Sequence, residues 1–142
     1  MAAERTLCIV KPDAVEKQKA ASILQRVEEA GFRILALRLI HLTRREAESF
    51  YEVHRERPFF ADLVQFMTRS PVVVAVLECD GAVARWRDLM GATDPLKAAP
   101  GSIRKVFGSN VGENATHGSD SLENAKREIG FFYAGREVSP AA

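Results

Sequence analysis

The spacing of hydrophobic residues changes several times along this chain, and each change marks an element. The run RTLCIV, Arg5 to Val10, is short, apolar and rich in strand formers, and stops at Lys11-Pro12-Asp13. Ala20, Ile23, Leu24, Val27 and Ala30 then recur at helical spacing, and Gly31 supplies a C-terminal stop. Phe32 to Leu42 alternates imperfectly, which predicts a long strand with one face partly wet. Thr43-Arg44-Arg45-Glu46 has the form of a capping box and predicts a helix whose Ala47, Phe50, Tyr51 and His54 share a face. After Arg57-Pro58 a second helical stripe follows at Phe60, Leu63, Val64 and Met67. Pro71 to Cys79 is nearly all apolar, the pattern of a strand buried on both faces. Val83, Trp86 and Met90 mark another short helix, ended by Gly91.

The periodicity then fails from Ala92 to about Thr116, a segment holding Pro95, Pro100, Gly101, Gly108 and Gly112. So long an irregular connection inside a compact domain is usually functional when ordered. Order returns at Asp120, and Leu122, Ala125, Ile129 and Phe132 form the last apolar stripe. The tail from Ala134 to Ala142 reads as an extended end lying on the surface. Helices set between three strands predict an α/β sandwich, helices covering a small sheet. A fourth strand would be short, near Asn114–Gly118 or in the tail, and the pattern leaves the strand order open. No repeat or linker divides the chain, which predicts one domain over residues 1–142.

Composition narrows the function. A chain of 142 residues, 46% hydrophobic, can build a core. Twenty basic and nineteen acidic side chains give a net charge of +1, which disfavours non-specific binding to nucleic acid. Any affinity for phosphate must come from locally placed cations. Cys8 and Cys79 are far apart in apolar runs and read as buried free thiols. The opening MAAERTLCIV lacks the basic and apolar regions of a signal peptide, and no apolar run approaches the ~20 residues of a membrane span. A soluble, cytoplasmic protein with no membrane partner is the expectation.

Several common chemistries leave no trace. There is no GxxxxGK[ST] or GxGxxG phosphate loop, no Gly-x-Ser-x-Gly elbow, and no zinc-ligand spacing among His41, His54, His117 and the two cysteines. A histidine is then the most plausible nucleophile or base. His41 sits at a strand end and His54 on a helical face, positions with ready structural explanations. His117 differs: it lies among small and polar residues in ENATHGSDS, at the close of the irregular segment and just before a helix start. Helix N-termini favour anions. Lys11, Arg55, Arg57, Arg87 and Arg104 are candidate phosphate ligands, but each alone is commonly a solvated charge, and their convergence cannot be read from spacing.

The blocks VKPDAV, HRERPFF, MGATDP, PGSIR and above all NATHGSDS, in this order from Glu4 to about Tyr133, resemble the signature of the nucleoside diphosphate kinases. That resemblance implies a ferredoxin-like fold with a four-stranded antiparallel sheet covered by helices. It implies a ping-pong enzyme in which His117 takes the γ-phosphoryl of a nucleoside triphosphate, chiefly ATP, on its δ nitrogen and passes it to a nucleoside diphosphate. Glu128 would bond the other ring nitrogen and Ser119 would support Glu128. Lys11, Tyr51, Arg87, Thr93, Arg104 and Asn114 would cradle the phosphates, with Lys11 and Asn114 also at the ribose. Phe59 would stack on the base, with Val111 on its other side, a contact that every base can make. His54 would lie close to the pocket, behind its lining. Mg2+ would be held mainly by nucleotide phosphates and water, without a protein metal site. Relatives assemble as tetramers or hexamers, so a homo-oligomer is implied.

The chain departs from the common family pattern at Ala21 and Ser22, where glycine and glutamate are frequent, and this predicts a local difference in the first helix. Val106 stands where an aspartate is usual, in a loop that contributes to subunit contacts, and Ser102 replaces the commoner threonine. Competing readings are a catalytically inactive nucleotide-binding module, an RNA-binding module on the same kind of sheet, and a histidine phosphocarrier. The near-neutral charge and the missing aromatic RNA-binding run oppose the second. A base-stacking site at Phe59 would be superfluous in the third.

Overall fold

The structure, a computed structural model, describes residues 3–139. Met1, Ala2 and the terminal Pro140, Ala141 and Ala142 lie outside the described residues, and with them the very start of the leader reading and the end of the tail. The elements in chain order are β1 (Ala3–Val10), α1 (Pro12–Glu16), α2 (Ala20–Glu29), β2 (Arg33–Ile40), α3 (Arg44–Phe50) and α4 (Phe60–Met67). Next come β3 (Val72–Asp80), α5 (Ala82–Met90), α6 (Ile103–Phe107), β4 (Thr116–Gly118) and α7 (Leu122–Phe132).

The four strands form one sheet in the order β2-β3-β1-β4, every pair antiparallel. This is the ferredoxin-like arrangement of a four-stranded sheet with helices packed on it. Alternation along β1 and β3 divides the core into two layers. Cys8, Val10, Val73, Ala75 and Leu77 point to one face, where Ile23 and Val27 of α2 and Trp86 and Met90 of α5 cover them. Leu7, Ile9, Val72, Val74 and Val76 point to the other, under Phe50 of α3 and Val64 and Met67 of α4. The uninterrupted apolar run of β3 follows from this: a central strand with helices on both faces has no wet side.

The fourth strand forms at Thr116–Gly118, the first of the two predicted places, and pairs Cys8 with Gly118, Ile9 with His117 and Val10 with Thr116. The capping box is present, with Glu46 N–H donating to Thr43 Oγ1 at 3.1 Å and Thr43 N–H to Glu46 Oε1 at 2.8 Å. Several expectations need correction. The predicted helix ends at Phe50, and a 3-10 turn at Glu52–His54 carries His54 off the face of Ala47 and Phe50. A short helix, α1, begins where Pro12 takes the first helical position, a place where its missing N–H is harmless. The irregular segment contains α6, capped by Ser102, so Arg104 is helical. Five residues are too few for an apolar stripe to be visible. The tail is not extended throughout: Gly135–Glu137 form a 3-10 turn, and Ser139 N–H then donates to Leu35 O at 3.0 Å. Cys8 is fully buried as expected, but Cys79 is only partly so; both are free. The substituted Ala21 and Ser22 lie exposed in a regular α2, without local distortion.

Gly118 fixes β4 against α5. A β-carbon there would lie 2.5 Å from Trp86 Cδ1 and 2.6 Å from Met90 Cε, both in the packed core. The close approach lets the indole Nε1–H of Trp86 donate to His117 O at 3.1 Å. Gly118→Ala is therefore expected to destabilise the fold by ~1–3 kcal/mol through overpacking. Urea unfolding measures this, and an unchanged midpoint would contradict the contact.

Candidate active site

Three short segments converge at the end of β1. Ala115 adopts φ 74°, a left-handed conformation disfavoured for a residue with a side chain. Both sides of its peptide group are pinned: its N–H donates to Asp13 Oδ2 at 3.1 Å, and its carbonyl accepts from Lys11 N at 2.8 Å. The turn delivers Asn114 on one side and the strand Thr116–Gly118 on the other. Asn114 is buried, accepts from Lys11 Nζ at 2.9 Å and donates to Thr93 O at 3.0 Å.

His117 is held from behind. Its Nε2 lies 2.8 Å from Glu128 Oε1, and because a carboxylate only accepts, Nε2 carries the proton. Ser119 Oγ donates to the same Glu128 oxygen at 2.8 Å and accepts from Leu7 N–H at 3.2 Å. Burial alone would raise the pKa of Glu128. The hydrogen bond and charge of His117, the Ser119 hydroxyl and the Arg127 charge outweigh it and hold the group below the ordinary glutamate value. Nδ1 has no protein partner among the described residues and is the nitrogen free to act on a ligand. The sequence suggested an unshielded histidine. Instead the side chain is only 17% exposed, because Phe50 and Tyr51, remote in the chain, set their rings edge-on to it at 5.5 and 6.4 Å.

His117 opens into a cleft of about 870 Å³. Lys11, Tyr51, Phe59, Thr93, Arg104, Val111 and Asn114 line it together with the histidine. His54 lines it as well, rather than sitting behind the lining, 5.4 Å from the Phe59 ring. Arg87, Ser119 and Glu128 do not line it: Ser119 and Glu128 stand behind His117, and Arg87 is exposed on α5. Arg87 nonetheless acts on the site by charge. Burial first, and then repulsion by Arg87, lowers the pKa of Arg104 to about 10. Burial first, then repulsion by Arg104, lowers that of Lys11 to about 8, with Asp13 partly offsetting both. Arg104 donates to Gly91 O and Thr116 O at 3.2 and 3.0 Å, while its buried Nε has no partner among the described residues. Tyr51 Oη is likewise buried and, among the described residues, unpartnered. Burial, with the Glu128 charge nearby, pushes its pKa up, so it remains a neutral donor. Crowded cations and idle donors around one cleft are what a polyanion would relieve.

His41 is excluded from this centre; its Nε2 meets Thr68 O at 2.7 Å on the surface. Sequence reading missed Phe50, which looked like plain core, and Trp86, whose helical spacing signalled only burial. It also missed the pinning role of Asp13, although that residue sits within VKPDAV.

This geometry has counterparts in known proteins. The sequence model described as nucleoside diphosphate kinase matches residues 4–138. The chain is 58% identical over 142 residues to a nucleoside diphosphate kinase of Sorangium cellulosum (strain So ce56), covering 100% of this chain and 99% of the relative. It is 56% identical over 138 residues to one from Rhodopseudomonas palustris (strain HaA2), covering 97% and 99%. Among solved structures, the Aquifex aeolicus nucleoside diphosphate kinase superposes with a TM-score of 0.94 at 51% identity, over 96% of this chain and 99% of that one. The halophilic Halobacterium salinarum nucleoside diphosphate kinase, in complex with CDP, gives 0.95 at 36% identity over 99% and 94%. The fold and cleft are those of a phosphotransferase family built around one histidine. The chain belongs to the nucleoside diphosphate kinase family.

The lowered pKa of Lys11 gives a testable pH dependence. With a value of about 8 in the free protein, Lys11 is charged at pH 7 and mostly neutral at pH 9. A polyanion bound beside it restores the proton, so binding at pH 9 must take one up. Affinity for pyrophosphate should fall by about tenfold from pH 7.5 to pH 9, with matching proton uptake in calorimetry. Lys11→Met should flatten that dependence, and a wild type flat over this range would contradict the charge assignment.

Proposed function

We propose that this protein transfers the γ-phosphoryl group of a nucleoside triphosphate, chiefly ATP, to a nucleoside diphosphate through a phosphohistidine on His117. The observation that carries this reading is the asymmetry of the imidazole: Glu128 occupies Nε2 and Nδ1 remains free at the cleft. In the first half-reaction the Nδ1 lone pair attacks the γ-phosphorus and forms an N–P bond. The bond from that phosphorus to the β-γ bridging oxygen breaks, and the diphosphate leaves with the electron pair. In the second, a terminal oxygen of another nucleoside diphosphate attacks the same phosphorus, and the N–P bond returns its electrons to Nδ1. One cleft serves both halves, as ping-pong catalysis requires.

Each side chain has a role in this account. Glu128 fixes the tautomer and stabilises the positive charge that grows on the ring, and Ser119 orients Glu128. Lys11, Arg104 and Arg87 neutralise phosphoryl oxygens, Tyr51 and Thr93 add donors, and Asn114 with Lys11 reaches the ribose. Phe59 and Val111, both exposed in the open cleft, sandwich the base through its face, so no base edge is read. Mg2+ fits as part of the substrate. Lys11 and Arg104 make the phosphate end of the cleft cationic, which suits an ion that arrives already bound to phosphate. Carried in by the nucleotide, the ion would supply neutralisation of phosphate charge, with no direct protein ligand required.

The rest of the reading concerns setting. The match over residues 4–138 supports a single nucleoside diphosphate kinase domain spanning the chain. A homo-oligomer, tetramer or hexamer, is supported by the edge strand β2, whose Leu37 and Leu39 are 51% and 65% exposed. No helix among the described residues is long and apolar enough to cross a membrane, and the unpaired Cys8 and Cys79 suit a reducing compartment such as the cytoplasm. A specific nucleic-acid partner has no support in the near-zero net charge.

Incubation with γ-labelled ATP and magnesium, followed by a chase with unlabelled GDP, tests the relay. Acid-labile label should appear on the wild type, move into GTP on the chase, and be absent from His117→Ala. Label that GDP does not remove would indicate a phosphocarrier, and an unlabelled wild type would leave an inactive binding module.

A further inference from the structure

The cleft is also lined by an ion-pair cluster that neither touches His117 nor belongs to the phosphate cations. Arg69, in the turn between α4 and β3, forks onto Glu16 of α1, Nε to Oε2 at 2.9 Å and Nη2 to Oε1 at 2.7 Å. Ser70 Oγ donates to the same carboxylate at 2.8 Å, and the guanidinium lies 5.0 Å from the Phe66 ring centroid. The same Nη2 also reaches Glu113 Oε1 at 3.3 Å. An isolated exposed ion pair contributes little, because two long side chains must be held still. Here the fork and the ring already hold the arginine, so Glu113 meets a cation that is fixed in place.

Glu113 closes a compact turn. Asn110 Oδ1 accepts from the N–H groups of Gly112 and Glu113, both at 3.0 Å, and Glu113 O accepts from Ser109 N–H at 2.8 Å. Residues 109–113 therefore move together, with Val111 among them. Arg69 belongs to the wall that carries Phe59 and Phe66, and Glu113 to the wall that carries Val111. The Arg69–Glu113 pair is a bridge between the two surfaces that would face a bound base.

We propose that Arg69 is a positioning residue that sets the gap between Phe59 and Val111, and so governs affinity for the base without taking part in phosphoryl transfer. The inference rests on the nucleotide reading above. It separates base from phosphate: loosening the bridge should weaken a ligand with a base and leave one without a base unaffected.

The test compares wild type, Arg69→Gln, Glu113→Gln and the double variant, with calorimetric Kd for ADP and for ribose 5-diphosphate, and kcat at saturating substrate. Each single variant should weaken ADP by about fivefold, and the double should be no worse than the weaker single. Ribose 5-diphosphate affinity and kcat should stay within about twofold of wild type. Equal weakening of both ligands would make Arg69 a phosphate ligand and overturn the proposal, as would folded variants that bind ADP normally. If Arg69→Gln does not fold, Glu113→Gln, altered in an exposed loop, decides the matter alone. A wild type that transfers phosphoryl groups while the variants behave normally refutes the bridge only; a wild type that binds neither ligand refutes the nucleotide reading and the bridge with it.

Discussion

The hydrogen bond from His117 Nε2 to Glu128 is the contact around which the site is organised. An imidazole has two nearly equivalent nitrogens, and a nucleophile needs one lone pair in a known direction. A carboxylate on Nε2 settles which nitrogen holds the proton, and Ser119 and the Leu7 amide hold the carboxylate in turn. The chain of contacts thus runs from the sheet backbone to the reactive atom through groups that are nearly all buried. Glu128 remains an anion because the partners it meets on folding outweigh the burial that would neutralise it. On the proposed reading, an anion there would also steady the cation that the ring becomes when Nδ1 accepts phosphorus.

Two further constraints serve that contact. The three-residue strand carrying His117 is pressed between β1 and α5, and only a glycine at position 118 lets Trp86 come close enough to bond the histidine carbonyl. Just upstream, Ala115 holds a left-handed backbone that costs roughly 1–2 kcal/mol in a residue with a β-carbon. Asp13 and the Lys11 amide offset this by bonding both of its polar groups. The same tip of β1 therefore anchors the histidine strand and presents the Lys11 ammonium to the cleft. His117 and Lys11 thus share one rigid origin, which would suit the proposed transfer, whose catalysis depends on positioning and charge.

How much of this could be read beforehand differed by element. Strands β1 and β3 were plain because each runs through the core, with an unbroken apolar stretch at Leu7 to Val10 in β1 and at Val72 to Leu77 in β3. Helix α4 was plain because its stripe spans two turns. The short α1 and α6 left no period, and only Pro12 and Ser102, as helix-start residues, hinted at them. At the site, resemblance named the residues, and the geometry gathers Lys11, Tyr51, Phe59, Thr93, Arg104, Val111, Asn114 and His117 around one cleft. It sets Arg87 apart, acting by charge. The aromatic shielding of His117 was invisible, since Phe50 and Tyr51 approach it only through the tertiary fold. The Arg69 cluster was invisible for the same reason: Glu16, Arg69 and Glu113 are far apart in the chain and ordinary in kind.

The most direct measurement is nitrogen-15 NMR of the His117 imidazole before and after reaction with ATP, in protein labelled at histidine. The account predicts a resting ring protonated at Nε2 with a bare Nδ1, and phosphorus coupling at Nδ1 after phosphorylation. Phosphorus coupling at Nε2, or a resting ring protonated at Nδ1 alone, would contradict the role given to Glu128.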